Sequence, residues 1–235
     1  MSTRVRHVVT GANRGIGLEL VRQLAARGER VEACARTPGN ATELQALASS
    51  RVRIHALDVT SAASVRALGA ALGDASVDTV FNVAGVHGGA RQSLRPMAED
   101  LELADVTSTI DVNATGALRV AVGLLAHVRR GTLKKLVHVT SGMGSISDNA
   151  SGGYYAYRMS KAALNMMSKS LAVDLRPEGI SSFVINPGWV QTDMGGDNAP
   201  TPVDESVRGI LQVIDTATLA DSGEFLNWKG NRYPW

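Results

Sequence analysis

The chain has 235 residues, 44% apolar and 20% charged, with a formal net charge of +2. These values exclude wholesale disorder and suit a sizeable core in one α/β domain over 1–235. With no long Lys/Arg run and no basic stretch interleaved with aromatics, they also argue against nucleic-acid binding.

The first expected element is an apolar strand over 5–10, which runs at once into Gly11-Ala-Asn-Arg-Gly15-Ile-Gly17. Leu18, Leu20, Val21, Leu24 and Ala25 then recur at helical spacing and predict a helix over 15–27. A strand, a glycine-rich turn and a helix together aim helix N-terminal amides at a phosphate. The spacing Gly-x-x-x-Gly-x-Gly differs from the most familiar dinucleotide fingerprint, yet its place directly after a strand points to nucleotide binding. Further strands are expected at 30–35, 52–56, 79–83, 133–140, 182–186 and 224–226, and further helices at 61–72, 100–129, 155–176 and 203–217. The alternation predicts βαβ units in a doubly wound, Rossmann-type parallel sheet with helices on both faces. Residues 38–40 and 176–179 read as turns, and 195–202 as a loop.

The single cysteine, Cys34, rules out a disulfide within the chain and reads as a small buried strand residue, consistent with a reducing cytoplasm. The five histidines are scattered, and no cysteine–histidine cluster suggests a metal site. There is no signal-peptide profile and no apolar run of membrane-spanning length, so a cytoplasmic protein without a membrane span is expected.

Ligands of such a sheet collect beyond the carboxyl ends of its strands. Asp58-Val59 follows the third strand, Asn82-Val-Ala84-Gly85 closes the fourth, Ser141 follows the fifth and Pro187-Gly188 the sixth. The next helix places Tyr157 and Lys161 four apart, on one face. A phenol ionises near pKa ~10, and a neighbouring cation favours the phenolate, so this pair is a candidate general acid/base.

The ordered set resembles the short-chain dehydrogenase/reductase family over nearly the whole chain. The matching residues are Thr10-Gly-Ala-Asn-Arg-Gly-Ile-Gly17, Asp58-Val59, Asn82-Val-Ala-Gly85, Asn113, Ser141, Tyr157-x-x-x-Lys161, Asn186-Pro-Gly188 and Thr192. Residues 155–165 and 187–196 are similar to its carbonyl-reductase-like members, especially the C-factor (C-signal) subgroup. The resemblance implies hydride exchange between a carbonyl or alcohol and a nicotinamide cofactor, which supplies the hydride. Tyr157 would exchange a proton with the substrate oxygen, and Ser141 would orient that oxygen. Lys161 would hold the nicotinamide ribose and bias the phenol toward phenolate. Asn113, within the 100–129 helix, would position a water for proton relay. Gly11, Asn13, Gly15, Ile16 and Gly17 would cradle the dinucleotide, with Asp58 and Val59 at the adenine. Asn82, Ala84 and Gly85 would lie beside it, and Pro187, Gly188, Val190 and Thr192 along the nicotinamide.

Charge decides the expected cofactor. After the second strand, Ala35 stands where an NAD site would carry an acid, Arg36 follows, and Arg14 adds a second cation. A guanidinium suits a 2′-phosphate, although both arginines could simply be solvated surface charges. Glu32 lies too early in its strand to reach a ribose. The expectation is NADP(H) over NAD(H).

Two features depart from the family pattern. Val83 replaces an Asn, and Ser141 and Tyr157 are sixteen apart, wider than usual. The extra residues fall in 147–153. Ser145 and Ser147 are rivals to Ser141, which is favoured because Thr140-Ser-Gly-Met-Gly144 fits the family pattern at a strand end. Tyr154 and Tyr155 lack a lysine four residues on. His87, Met143, Tyr154, Trp189 and Met194 are candidate substrate walls, suiting an apolar carbonyl or alcohol in an open cleft. The resemblance further implies a homodimer or homotetramer joined through 100–129 and 155–176. There Leu118, Val120, Leu124, Leu125, Leu164, Met166, Met167 and Leu171 could form that contact or the core. A rival reading is a signalling or regulatory protein that keeps the fold with little turnover. Hydrolase chemistry at Ser141 lacks a Ser–His–acid context.

Overall fold

In the computed structural model, which describes residues 5–88 and 103–235, seven strands form one sheet. They are β1 (Arg6–Thr10), β2 (Arg30–Ala35), β3 (Val52–Ala56), β4 (Thr79–Asn82), β5 (Lys135–Val139), β6 (Ser181–Asn186) and β7 (Phe225–Asn227). Their order is β3-β2-β1-β4-β5-β6-β7, every neighbouring pair parallel. The helices are α1 (Gly15–Ala26), α2 (Thr42–Gln45), α3 (Ala62–Leu72), α4 (Leu103–Ile110), α5 (Gly116–Gly123), α6 (Leu125–Arg129), α7 (Tyr155–Leu175) and α8 (Val203–Thr216).

The central strands are buried on both sides, which explains their unbroken apolar runs. On one face Val9, Phe81, Val137 and Ile185 pack with Leu20 and Leu24 of α1 and Ile210 and Leu211 of α8. On the other, Val8, Val80 and Leu136 meet Val65 and Leu68 of α3 and Val120 of α5. Cys34 lies fully buried on that second face. Because strand order reverses between β1 and β4, a crevice opens at their carboxyl ends.

The expected Rossmann-type sheet with helices on both faces is therefore what the chain forms, with boundaries shifted by only a few residues. One expectation needs correction. The 100–129 helix, whose first residues lie outside the described ones, is not continuous: α4 passes through a π-helical turn, Asp111–Thr115, before α5. A second break follows at Leu124 (φ −103°, ψ 4°), beyond Gly123, whose missing Cβ makes room for Val65. Of the apolar residues expected on these helices, Val120, Leu124 and Leu164 are core, whereas Leu118 and Met166 are exposed. The four-residue α2 was not foreseen, being too short to show a helical period.

Glu32 points away from the crevice. Its carboxylate is buried between Arg6 and His55, 2.6 Å from the latter, and these partners hold its pKa low against the upward push of burial. Among the described residues, no helix is long and apolar enough to cross a membrane, and no group of His, Cys, Asp and Glu could hold a metal ion.

Candidate active site

The crevice is built first by the loop after β1. Gly11 has φ +65°, and a Cβ there would lie 2.8 Å from the Ala84 Cα; one on Gly17 would run into the Gly11 carbonyl. Glycine is thus required for the loop to lie against the segment leaving β4. Thr10 ties the two together: its Oγ1 accepts the Val83 and Ala84 N–H groups at 3.0 and 3.1 Å. These are main-chain contacts, so the Val83 substitution leaves them intact.

The resulting cleft has a volume of about 1280 Å³. Drug-sized ligands occupy about 300–1,000 Å³, so a dinucleotide and a small substrate fit together. Gly11, Asn13, Arg14, Gly15, Ile16 and Gly17 line it from the loop, Arg36 from beyond β2, and Asp58 and Val59 from beyond β3. Ala84, Gly85, Ser141, Pro187, Gly188, Val190 and Thr192 follow from the next strand ends, and Tyr157 and Lys161 from α7. His87, Met143, Tyr154, Trp189 and Met194 line it as well. Asn82 and Asn113 sit behind the wall as supports.

Tyr157 is 9% exposed, with its phenol beside the Ser141 hydroxyl. Burial pushes its phenol above the ordinary range, and the Ser141 contact only partly offsets this. Without a cofactor in the cleft, burial thus outweighs the Ser141 contact and favours the protonated phenol. Lys161 has its ammonium 5.6 Å from the centre of the Tyr157 ring and donates to the Val139 carbonyl at 2.9 Å. Burial lowers its pKa to about 8. Ser141 also caps the turn Gly142–Gly144 by accepting from Met143 N–H at 3.1 Å. Its rivals face elsewhere, since the Ser145 and Ser147 hydroxyls both donate to the Trp235 main-chain oxygen. The His87 ring stacks on Tyr157 at 4.9 Å and meets Tyr154 edge-on at 5.5 Å; burial lowers its pKa.

Asn113 occupies the π turn with three hydrogen bonds on its carboxamide. Oδ1 accepts from Val86 N–H at 2.8 Å, while Nδ2 donates to the Val86 carbonyl and to Ser160 Oγ at 2.8 and 2.9 Å. It clamps the π turn, α7 and the irregular segment after β4 together. Asn82 Nδ2 reaches His138 Nδ1 at 3.2 Å and the Ala117 carbonyl at 3.4 Å, bracing β4 to β5 and α5. His138 is fully buried and its pKa falls to about 3, so it stays neutral.

At the far end, Asp58 Oδ1 accepts from Thr60 Oγ1 and N–H at 2.7 and 2.9 Å, which hold its pKa below the usual carboxylate range. Arg14 spans the cleft to Asp193, Nη1 to Oδ2 at 2.7 Å, with Thr192 lying over Gly15. The arginine expected as a second cation for a 2′-phosphate is therefore paired with a carboxylate. Gly188, at φ +84°, makes room for the Trp228 indole.

Several lining residues carried no signal in the sequence. Asp148 and Arg158 sit in or beside the longer Ser141–Tyr157 connection, and Tyr233 arrives from beyond β7. Arg158 holds that connection through the Met143 and Gly152 carbonyls and Ser151 Oγ. Only the return of the chain over the cleft brings Tyr233 there.

The family profile described as short chain dehydrogenase matches residues 6–202. The chain belongs to the short-chain dehydrogenase/reductase family of oxidoreductases. It is 48% identical over 159 residues to the C-signal of Myxococcus xanthus, covering 68% of this chain and 93% of that protein. The solved carbonyl reductase Sniffer of D. melanogaster superposes with a TM-score of 0.91 at 30% identity, over 99% of this chain and 100% of that one. An NADPH-bound carbonyl reductase from chicken fatty liver gives 0.89 at 35% identity, again over 99% and 100%.

Proposed function

We propose that this short-chain dehydrogenase/reductase is an NADP(H)-dependent oxidoreductase interconverting a carbonyl and an alcohol, with Tyr157 as general acid/base. The observation that carries the reading is a buried phenol beside the Ser141 hydroxyl, with the Lys161 ammonium one helical turn away, in a cleft whose other end is the glycine loop.

The loop residues Gly11 to Gly17, Asp58, Val59, Ala84, Gly85 and the 187–192 segment would hold the dinucleotide, with Arg36 and Arg14 taking a 2′-phosphate. When bound, it supplies the hydride. In reduction, Tyr157 Oη–H donates its proton to the carbonyl oxygen, and burial keeps that proton in place until it is needed. Ser141 Oγ donates to the same oxygen and orients it. Lys161, close to half-charged at mildly alkaline pH, would turn from the Val139 carbonyl to the ribose hydroxyls and pass a proton back to the phenol. Because the Asn113 carboxamide is already used, its part in relaying water falls to the main chain of the π turn, where regular helical pairing is interrupted. His87, Met143, Tyr154, Trp189 and Met194 would wall a mainly apolar substrate.

Self-association would run through α4–α5 and α7, where Val122, Met166 and Val173 are 58%, 67% and 64% exposed, giving a homodimer or homotetramer. Light scattering at micromolar concentration tests this, and a monomeric mass would contradict it.

The deciding experiment follows NADPH absorbance with a panel of aldehydes, ketones and quinones. Turnover of at least one class is expected. Cofactor binding without any turnover would instead favour the second reading, a signalling or regulatory protein that keeps the cofactor fold, which the likeness to the C-signal supports.

A further inference from the structure

Beyond β7 the chain doubles back over the cleft. Leu226 and Arg232 form an antiparallel bridge, and Tyr233 N–H donates to the Phe225 carbonyl at 2.7 Å. Tyr233 is thereby set into the cleft wall beside Ser141: a Cβ on Gly142 would lie 2.6 Å from its phenol oxygen. That phenol donates to Asp148 Oδ2 at 2.7 Å, and the carboxylate raises its pKa, so the O–H is retained. The Trp235 main-chain oxygen accepts from Ser145 Oγ at 3.0 Å and Ser147 N–H at 2.9 Å. The returning strap therefore grips the loop that begins at Ser141 in three places.

This arrangement gives a mainly apolar pocket one acceptor edge. Tyr233 uses Oδ2 of Asp148, whereas Oδ1 accepts no hydrogen bond from the described residues. Asp148 is exposed and lines the same cleft as Ser141 and Tyr157, so a carboxylate held through one oxygen by a neighbouring phenol can offer the other to a neutral or cationic donor group.

We propose that Asp148, oriented by Tyr233, selects carbonyl substrates bearing a hydroxyl or amino group a few atoms from the reacting carbonyl. That donor pairs with the carboxylate while the carbonyl oxygen meets Ser141 and Tyr157. The assignment rests on the carbonyl–alcohol reading above and adds the substrate class to it. One charge-assisted hydrogen bond supports about tenfold discrimination.

The test compares kcat/KM for acetophenone and α-hydroxyacetophenone in the wild type, Asp148→Asn and Tyr233→Phe. The wild type should favour the hydroxyketone by about tenfold. Asp148→Asn should bring the ratio close to unity, and Tyr233→Phe should leave it at a few-fold. A second readout needs no turnover: quenching of tryptophan fluorescence in the NADP⁺ complex by 1-phenylethanol and by phenylethanediol. Tighter diol binding in the wild type, lost in Asp148→Asn, supports the assignment. Equal diol binding to both proteins, or no hydroxyketone preference in the wild type, overturns it. If neither ketone is reduced while another carbonyl of the panel is, the diol titration alone decides the binding edge; if no member of the panel is reduced while NADPH still binds, the oxidoreductase reading fails, and the same titration still decides the edge.

Discussion

The Lys161 ammonium lies over the Tyr157 ring, 5.6 Å from its centre, and gives its hydrogen bond to the Val139 carbonyl. The two groups share a helix face, as i and i+4 must. Yet burial moves both toward their neutral forms: the lysine to about 8, the phenol above its ordinary value. An ammonium that sheds its proton easily, beside a phenol whose anion takes one back readily, suits transfer from Lys161 to Tyr157.

Tyr157→Phe should lower kcat by about a hundredfold to ten-thousandfold, the usual worth of a positioned general acid, while NADPH still binds in a fluorescence titration. Ser141→Ala should cost about a hundredfold or more by removing a donor to the reacting oxygen. Ser145→Ala, which loses contacts to the Trp235 oxygen, Ser147 Oγ and the Asp148 N–H, should cost far less. The reverse order of the two serine variants would place the oxygen elsewhere.

The buried lysine makes stability depend on pH. Its folded pKa, about 8, lies below the ordinary lysine value of 10.5, so between those values the unfolded chain binds more protons. Stability conferred by this site therefore rises with pH through that window. Denaturant unfolding of the wild type and Lys161→Met, compared from pH 7 to about pH 10, should show the wild type gaining on the variant as pH rises. A constant difference would mean that the ammonium is not desolvated.

Arg36→Ala should weaken NADPH binding by about tenfold or more with little change for NADH, since a guanidinium–phosphate contact is charge-assisted. Arg14→Ala should cost less, because this arginine must first give up Asp193, and an exposed pair of that kind is worth about 0–1 kcal/mol. Calorimetric titration of both cofactors against both variants checks this, and equal losses for NADPH and NADH would contradict the 2′-phosphate assignment.

Gly17→Ala would drive a methyl group into the Gly11 carbonyl. The expected cost is about 1–3 kcal/mol, seen as a lower thermal midpoint together with weakened dinucleotide binding. Gly39→Ala, with no atom within 4 Å of its added Cβ, should leave both measurements unchanged.

The strand-end residues were legible because each stands next to a break in hydrophobic pattern. Asp58, Asn82, Ser141 and Pro187 follow apolar runs, and a parallel sheet gathers such ends along one edge. Tyr157 and Lys161 were legible because a helix has a fixed period. Asp148 and Tyr233 were not, since their meeting depends on a strap more than eighty positions later in the chain returning over the cleft. The π turn at Asn113 was equally hidden, because its apolar spacing differs too little from that of an ordinary helix.

What the amino-acid order determined by itself was local: the periods of two and 3.6, the glycines that no side chain can replace, and the residue types waiting at each strand end. Protonation and partnership were left to the folded chain. Whether the phenol is acid or anion, and whether Arg14 is free or held by Asp193, depends on desolvation and on distances between groups remote in sequence. No local pattern encodes those.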